Sequence, residues 1–364
     1  MIRHLLVFTF FFSSTDVFCQ VSLTAVSRIE NTLYNILDKN SGQIFSFSKV
    51  DKYYDGSDMD VSKCDDIMYL KYKNEYFKRN FEGGLNIRWF GCNELLSDNQ
   101  TIINNVLARY KTAFIPEGEF KFSATIVVPE NSRLYGTGKS SVLKLVSKRP
   151  LDAISVHRWV SLKSFKLDCS LTDMDVSAAI LINAWNTVES IMGEIKFQDL
   201  IIMGNYPQLQ GVALKLNIKT GNLKNYSVIS FCKFYDLDIH GFRDGIFCNL
   251  EYQKGKNISY INANIFDNIF INKCLRPIRM INTADENDVV SGKSAIAFNI
   301  FRNIFIQHVV GEYPAIFMDG ASYNEINSQV LDWIGNNVET NTKSRGNVIS
   351  CLPGDVPKIN NTIK

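Results

Sequence analysis

Residues 113–145 read AFIPEGEFKFSATIVVPENSRLYGTGKSSVLKL. Four short apolar pieces lie in this stretch: Phe114-Ile115, Phe120 with Phe122, Ile126-Val127-Val128, and Leu134. Proline or glycine closes each within a few residues. Pro116 and Gly118 end the first, Pro129 the third, and Gly136 and Gly138 the fourth. Runs this short, bounded by turn residues, form strands rather than helices. The connections leave no room for crossover helices, and the pieces do not read as hairpins. A coil of short strands, turning the same way each time, fits the punctuation.

Gly138-Lys139-Ser140 imitates the end of a phosphate-binding loop. That motif needs glycine where Arg133 stands, and a dinucleotide fingerprint would need one at Ser141. The segment is read as a turn between coils.

Further along, one unit recurs. Phe197-Gln198-Asp199-Leu200-Ile201-Ile202, Phe234-Tyr235-Asp236-Leu237-Asp238-Ile239, Phe266-Asp267-Asn268-Ile269-Phe270-Ile271 and Phe301-Arg302-Asn303-Ile304-Phe305-Ile306 match, and a weaker copy begins at Leu162. The starts lie 35, 37, 32 and 35 residues apart. Each strong copy is followed 12 or 15 residues later by a second apolar cluster, at Val212-Ala213-Leu214, Ile246-Phe247-Cys248, Ile278-Arg279-Met280 and Ile316-Phe317-Met318. A fixed period with two strands per unit is a solenoid signature. After residue 320 the repeat weakens, with one more coil expected over Tyr323 to Ile334 and another strand at Asn347-Val348-Ile349.

Before the coil, residues 97–110 read as a helix. Ser97 and Gln100 form a capping box, and Ile102, Ile103, Val106, Leu107 and Tyr110 share one face.

The pattern Ile115-Pro116, Gly118, Phe120, Phe122, then Ile126, Val128-Pro129, then Leu134, Gly136, Gly138, Ser140 and Val142 resembles the first coils of pectate-lyase-like β-helix proteins, closest to phage tailspike-type polysaccharide depolymerases. Phe77-Lys78-Arg79-Asn80-Phe81, followed by Gly83-Gly84 through Cys92, is similar to the join that leads from a tailspike head into its coil. The resemblance covers residues 50–145 by motif and the rest by repeat. It implies an all-β, right-handed, single-stranded parallel β-helix over residues 83–364, whose 97–110 helix plugs the open end. A small head region spans 21–82. It also implies a polysaccharide partner, a monomer or homotrimer, and Ca²⁺ only if the chemistry is that of a lyase. The family's acidic, Gly-rich approach to the helix is here Asn93-Glu94-Leu95-Leu96, a mark of divergence.

Composition is that of an ordinary globular chain of 364 residues, 46% hydrophobic and 21% charged, with net charge +2. Nothing in that balance calls for nucleic acid, and acidic glycans are neither required nor excluded. Residues 1–20 carry Arg3, an apolar run from Leu5 to Phe12 and a polar end, which is a secretory signal with cleavage near Cys19 or Gln20. The product is expected outside the cytoplasm, with no membrane insertion because no run reaches ~20 apolar residues. Seven further cysteines show no metal spacing and read mostly as buried apolar residues, with one bridge allowed.

Strand alternation puts Asp199, Asp236, Asn268 and Asn303 in one outward column, and Ile201, Asp238, Phe270 and Phe305 in the next. Paired carboxylates suit glycoside hydrolysis, so Asp199, Asp236 and Asp238 are catalytic candidates. Asn at 268 and 303 equally fits a ladder of turn residues. His240 and Arg243 offer a base and a cation for elimination beside a uronate carboxyl; a turn with a surface ion pair is the plain alternative. His157 and His308 are lone histidines. Tyr235, Phe270 and Phe305 are candidates for stacking on sugar, with Tyr313, Trp185 and Trp333 behind them, and Arg279 joins the substrate-binding set. No metal ligands stand out. Hydrolysis is the first expectation because acids outnumber bases in the outward columns; lyase chemistry and non-catalytic glycan adhesion are the alternatives.

Overall fold

A computed structural model of the chain describes residues 27–29, 31–184, 190–219, 226–252, 258–309, 313–333, 338–341 and 343–353. The expected signal segment lies outside them. The chain forms two compact units, residues 1–93 and 94–364.

The first unit is an antiparallel five-stranded sheet in the order Ser27–Ile29, Thr32–Leu37, Ile44–Lys49, Glu75–Arg79, Tyr69–Tyr72. Tyr69–Tyr72 and Glu75–Arg79 form a hairpin whose turn sets Lys73 at φ 56°. Leu33, Ile36, Phe47, Leu70 and Phe77 make its core. The unit extends past the expected boundary at 82. Trp89 lies 5.5 Å from the Phe45 ring and 5.4 Å from Phe81, so residues 83–93 pack with the head.

The second unit is a parallel β-helix built of three sheets. The first sheet holds ten strands, among them Ser161–Asp168, Lys196–Met203, Lys233–His240, Ile265–Asn272 and Ile300–Val309. The second holds eight, among them Ala178–Ala184, Val212–Lys219, Asp244–Glu251, Arg276–Asn282 and Ile316–Asp319. These are the two strands per unit that the repeat predicts, and the register is the predicted one: Leu162, Phe197, Phe234, Phe266 and Phe301 pair coil to coil. The four phenylalanines are fully buried and their rings follow one another at 5.1, 4.6 and 4.2 Å. The later strands Glu325–Trp333 and Val348–Pro353 continue the first sheet.

A third strand per coil was not foreseen. Ser190–Gly193, Ser227–Ser230, Ser259–Asn262, Ser294–Ala297 and Ala321–Ser322 stack as a five-stranded parallel sheet. Three of these strands bury one central isoleucine, Ile229, Ile261 or Ile296, too little apolar pattern to mark a strand. Between the third and first sheets runs a buried ladder of Asn264, Asn299 and Asn324, completed by Asn347. Each amide oxygen accepts from the backbone N–H of the coil before it and from the preceding ladder amide where there is one; Asn264 Oδ1 accepts from Cys232 N. This satisfies backbone that a turn would otherwise orphan.

Two local expectations change. The strand at Leu134 does not stop at Gly136 and Gly138 but runs Arg133–Leu145 around a bulge. A Cβ at Gly136 would meet Ser141 Cβ at 2.6 Å and the Ser164 carbonyl at 2.7 Å, so only glycine fits there. The helix is Gln100–Tyr110, and no Ser97–Gln100 capping box forms. Asp98 Oδ1 accepts from the Gln100 amide instead, and Asn99 is tied to the Lys121 carbonyl. Gln100 and Asn104 donate to the Thr125 carbonyl, and Asn104 accepts from Val127 N. The helix thereby pairs the Thr125 carbonyl and the Val127 N–H at Ile126–Val128, the end strand of the second sheet. Cys92, Cys169, Cys232, Cys248 and Cys274 are buried, and among the described residues no disulfide forms.

Candidate functional site

The outward face of the first sheet is not a flat alternating surface. Ser164, Asp199, Asp236, Asn268 and Asn303 occupy one position of successive coils, all at φ between 51° and 55°. A left-handed residue bends each strand there, so the two residues at the bend both face outward, as Gln198 and Asp199 do. Asp and Asn tolerate this backbone better than other L-residues, which accounts for the residue types in the column. Asn268 Nδ2 donates to Asp236 Oδ1 at 2.7 Å, and Asn303 donates to Asp267. Asp199 and Asp236 are exposed, and Tyr235 lies on the near side of the bend, half-buried, with the Lys196 ammonium 6.0 Å from its ring centre.

Beyond the bend the strands alternate cleanly. Ile201, Asp238, Phe270 and Phe305 are in register, half-buried, and face outward; Met203, His240, Asn272 and Gln307 form the next outward column. Here two candidates meet. His240 Nε2 lies 2.5 Å from Asp238 Oδ1, an ion-pair approach rather than an aligned hydrogen bond. The Phe270 ring sits edge-on to the imidazole at 5.9 Å. At the corner that follows, Gly241 has φ 75°, and a side chain there would press on Tyr206. Tyr206 is exposed, with the Lys273 ammonium 4.6 Å from its ring centre. Sequence reasoning passed over both residues.

Arg243 and Arg279 belong to a different cluster, at the start of the second sheet. Its centre is Asp244, fully buried. Arg276 meets it at two points: Nη2 donates to Oδ2 at 2.8 Å, and Nε stands 2.7 Å from Oδ1 in an ion-pair contact without hydrogen-bond alignment. Arg243 Nε donates to Oδ2 at 3.0 Å, and Arg279 Nη1 stands 3.9 Å from Oδ1. Burial, then repulsion from Arg276 and Arg243, holds the Arg279 guanidinium below its ordinary pKa, with Asp244 opposing. Asp244 and Arg276 pair across coils 32 residues apart, the spacing of Phe234 and Phe266, so the repeat held the signal.

Trp185 lies outside the described residues, as do the side chains of Trp333 and His308; His157 is exposed at a turn and Tyr313 is exposed. Among the described residues no three His, Cys, Asp or Glu side chains converge to hold a metal ion. No helix among them is long and apolar enough to cross a membrane.

No protein-family model matches the chain, and no curated protein matches it. Among solved structures, the enzymatically active domain of tailspike protein 2 of bacteriophage CBA120 is similar at a TM-score of 0.53 and 12% identity, over 90% of this chain and 51% of that one. Full-length tailspike protein 2, described as from Escherichia coli O157:H7 bacteriophage CAB120, gives 0.50 and 11%, over 90% and 45%. The chain spans about half of each. The likeness is one of fold, the parallel β-helix.

Proposed function

We propose that this chain binds and cleaves a polysaccharide by proton abstraction, with His240 as the base and Asp238 as the residue that positions it. The observation that carries the reading is the 2.5 Å approach of Asp238 to His240 on an outward face that also presents Phe270 and Phe305. A carboxylate this close to Nε2 holds the imidazole in place, and Nδ1 is the nitrogen left to take a proton. The rings beside it offer an apolar surface to a sugar. Likeness to a tailspike domain described as enzymatically active supports the reading.

In elimination, His240 takes the proton beside a uronate carboxyl, the C–H electron pair forms a carbon–carbon double bond, and the bond to the leaving sugar's oxygen breaks, that oxygen taking up a proton from water. That step needs a cation near the carboxyl. Arg243 follows His240 by three residues around the corner, so their Cα atoms are within about 11 Å.

Hydrolysis is the second reading. It is favoured by Asp236 and Asp238, two outward carboxylates two residues apart on one strand, since glycoside hydrolysis uses a pair of carboxyl groups. Both readings take residues 1–20 as an export signal.

Digestion of a panel of bacterial capsule, exopolysaccharide and pectin-type glycans decides between them. Ultraviolet absorbance of an unsaturated product with new reducing ends is the expected result. Reducing ends without absorbance would move the reading to hydrolysis, and no product from any glycan would leave an adhesin.

A further inference from the structure

We infer that Arg243, Arg276 and Arg279, gathered on the buried carboxylate of Asp244, form a binding site for the carboxylate of a uronic-acid residue in the glycan. The inference rests on the glycan reading above and adds where, and by which group, an acidic sugar is held.

One carboxylate faces three guanidinium groups, which leaves two positive charges over. Asp244 is fully buried, whereas the side chains of Arg243, Arg276 and Arg279 keep 27, 18 and 25% of their surface open. The anion is therefore inside and the cations form the accessible layer. The three arginines also differ in what they do. Arg276 makes the two-point grip that clasps neighbouring coils, and Arg243 adds one bond. Arg279, at 3.9 Å, makes no hydrogen bond to Asp244, and the clasp does not need it.

Arg279 is held in place by other means. Its guanidinium centre lies 4.9 Å from the Phe247 ring, and the Lys215 ammonium stands 5.8 Å from the same ring. Lys215, Phe247 and Arg279 are consecutive in one outward column of the second sheet. Tyr313 adds a further ring, 5.7 Å from the Arg276 guanidinium centre. A guanidinium resting on an aromatic ring keeps its in-plane N–H donors free, the geometry that takes a carboxylate by two parallel bonds. Tyr313, which is exposed, supplies apolar surface on which the same sugar's ring can rest. Burial and two like charges hold Arg279 below its ordinary pKa, and a bound anion relieves that repulsion.

The test compares the wild-type protein with Arg279→Gln, each titrated with sodium glucuronate, sodium galacturonate, sodium sulfate and glucose at constant ionic strength. Melting temperature and the NMR signals of the arginine Nε–H groups are followed. In the wild type a uronate is expected to raise the melting temperature and shift the arginine signals, while glucose does neither. In Arg279→Gln the uronate response is expected to weaken at least tenfold. Without ligand, Arg279→Gln is expected to melt no lower than wild type, because a repelled charge has gone and the Arg276 clasp remains. A lower melting temperature, with the uronate response unchanged, would make Arg279 merely structural and overturn the site. Absence of a uronate response in the wild type would also overturn it, and an equal response to sulfate would overturn the carboxylate assignment. Neither readout requires cleavage. Uronate binding without any glycan product would sink the depolymerase reading alone, and cleavage with an unaltered Arg279→Gln would sink this one alone.

Discussion

His240 Nε2 and Asp238 Oδ1 stand 2.5 Å apart on either side of the buried residue Ile239. The pairing follows from strand periodicity, since i and i+2 share a face. It separates these two residues from the acids at the bend. Asp199 and Asp236 sit where the backbone is left-handed, and Asp238 and His240 lie beyond it on regular strand.

That separation makes Asp236 a discriminating position. Asp236→Asn is expected to leave turnover within about twofold and the melting temperature unchanged, because Asn already fills positions 268 and 303 and suits the left-handed backbone. Asp236→Ala is expected to lose about 1–2 kcal/mol through left-handed strain and the lost Asn268 bond. A ~10²-fold loss of turnover in Asp236→Asn would establish a catalytic carboxylate and bring hydrolysis forward.

Two asparagines one short step apart in sequence should behave oppositely. Asn299 is buried and bonds to Asn264, Asn324 and the Ile261 carbonyl. Asn299→Ala strands these partners at ~1–3 kcal/mol each, so several kcal/mol should be lost in denaturant unfolding. Asn303 is exposed and donates to Asp267; Asn303→Gly, which keeps the left-handed backbone comfortable, is expected within about 1 kcal/mol of wild type. Equal costs would refute the ladder as the spine of the coil.

In the first unit, Arg79 and Asp38 form a buried ion pair at 2.7 Å, with the guanidinium centre 3.4 Å from the Phe45 ring centre and 4.2 Å from that of Trp89. Asp38→Ala leaves a buried charge alone and is expected to cost about 3–5 kcal/mol. Replacing both, as Asp38→Leu with Arg79→Met, should recover most of it. A mild Asp38→Ala effect in chemical denaturation would show the pair is solvated.

How much could be read beforehand depended on the length and strength of each signal. The coil was legible because Phe197, Phe234, Phe266 and Phe301 repeat with one in every turn. The third sheet was not, since four-residue strands with one inward isoleucine carry no period. Simple alternation missed the bend, whose only trace is the Asp and Asn preference at 199, 236, 268 and 303. The excess of outward acids that favoured hydrolysis thus has a backbone origin for two of its three members. The buried ladder left a trace in Asn-x-Phe and Asn-x-Ile at Asn264, Asn299, Asn324 and Asn347. The arginine cluster needed coil-to-coil alignment of Asp244 with Arg276, which the 32-residue offset supplied but local motif reading did not use.

The export proposal has its own check. Expressed in bacteria with its leader, the protein should be recovered outside the cytoplasm with a mature start near Cys19–Ser22, read by N-terminal sequencing. An intact Met1 start confined to the cytoplasm would rule export out.

The most direct measurement is single-residue kinetics on the glycan that the panel identifies, following ultraviolet absorbance for wild type, His240→Gln, Asp238→Asn and Asp199→Asn. His240→Gln is expected to lower kcat by ~10²-fold or more, the scale of general base catalysis. Asp238→Asn should lower kcat with KM little changed, as befits a residue that orients the base, and Asp199→Asn should remain close to wild type. Full turnover in His240→Gln, with its melting temperature intact, would contradict the account.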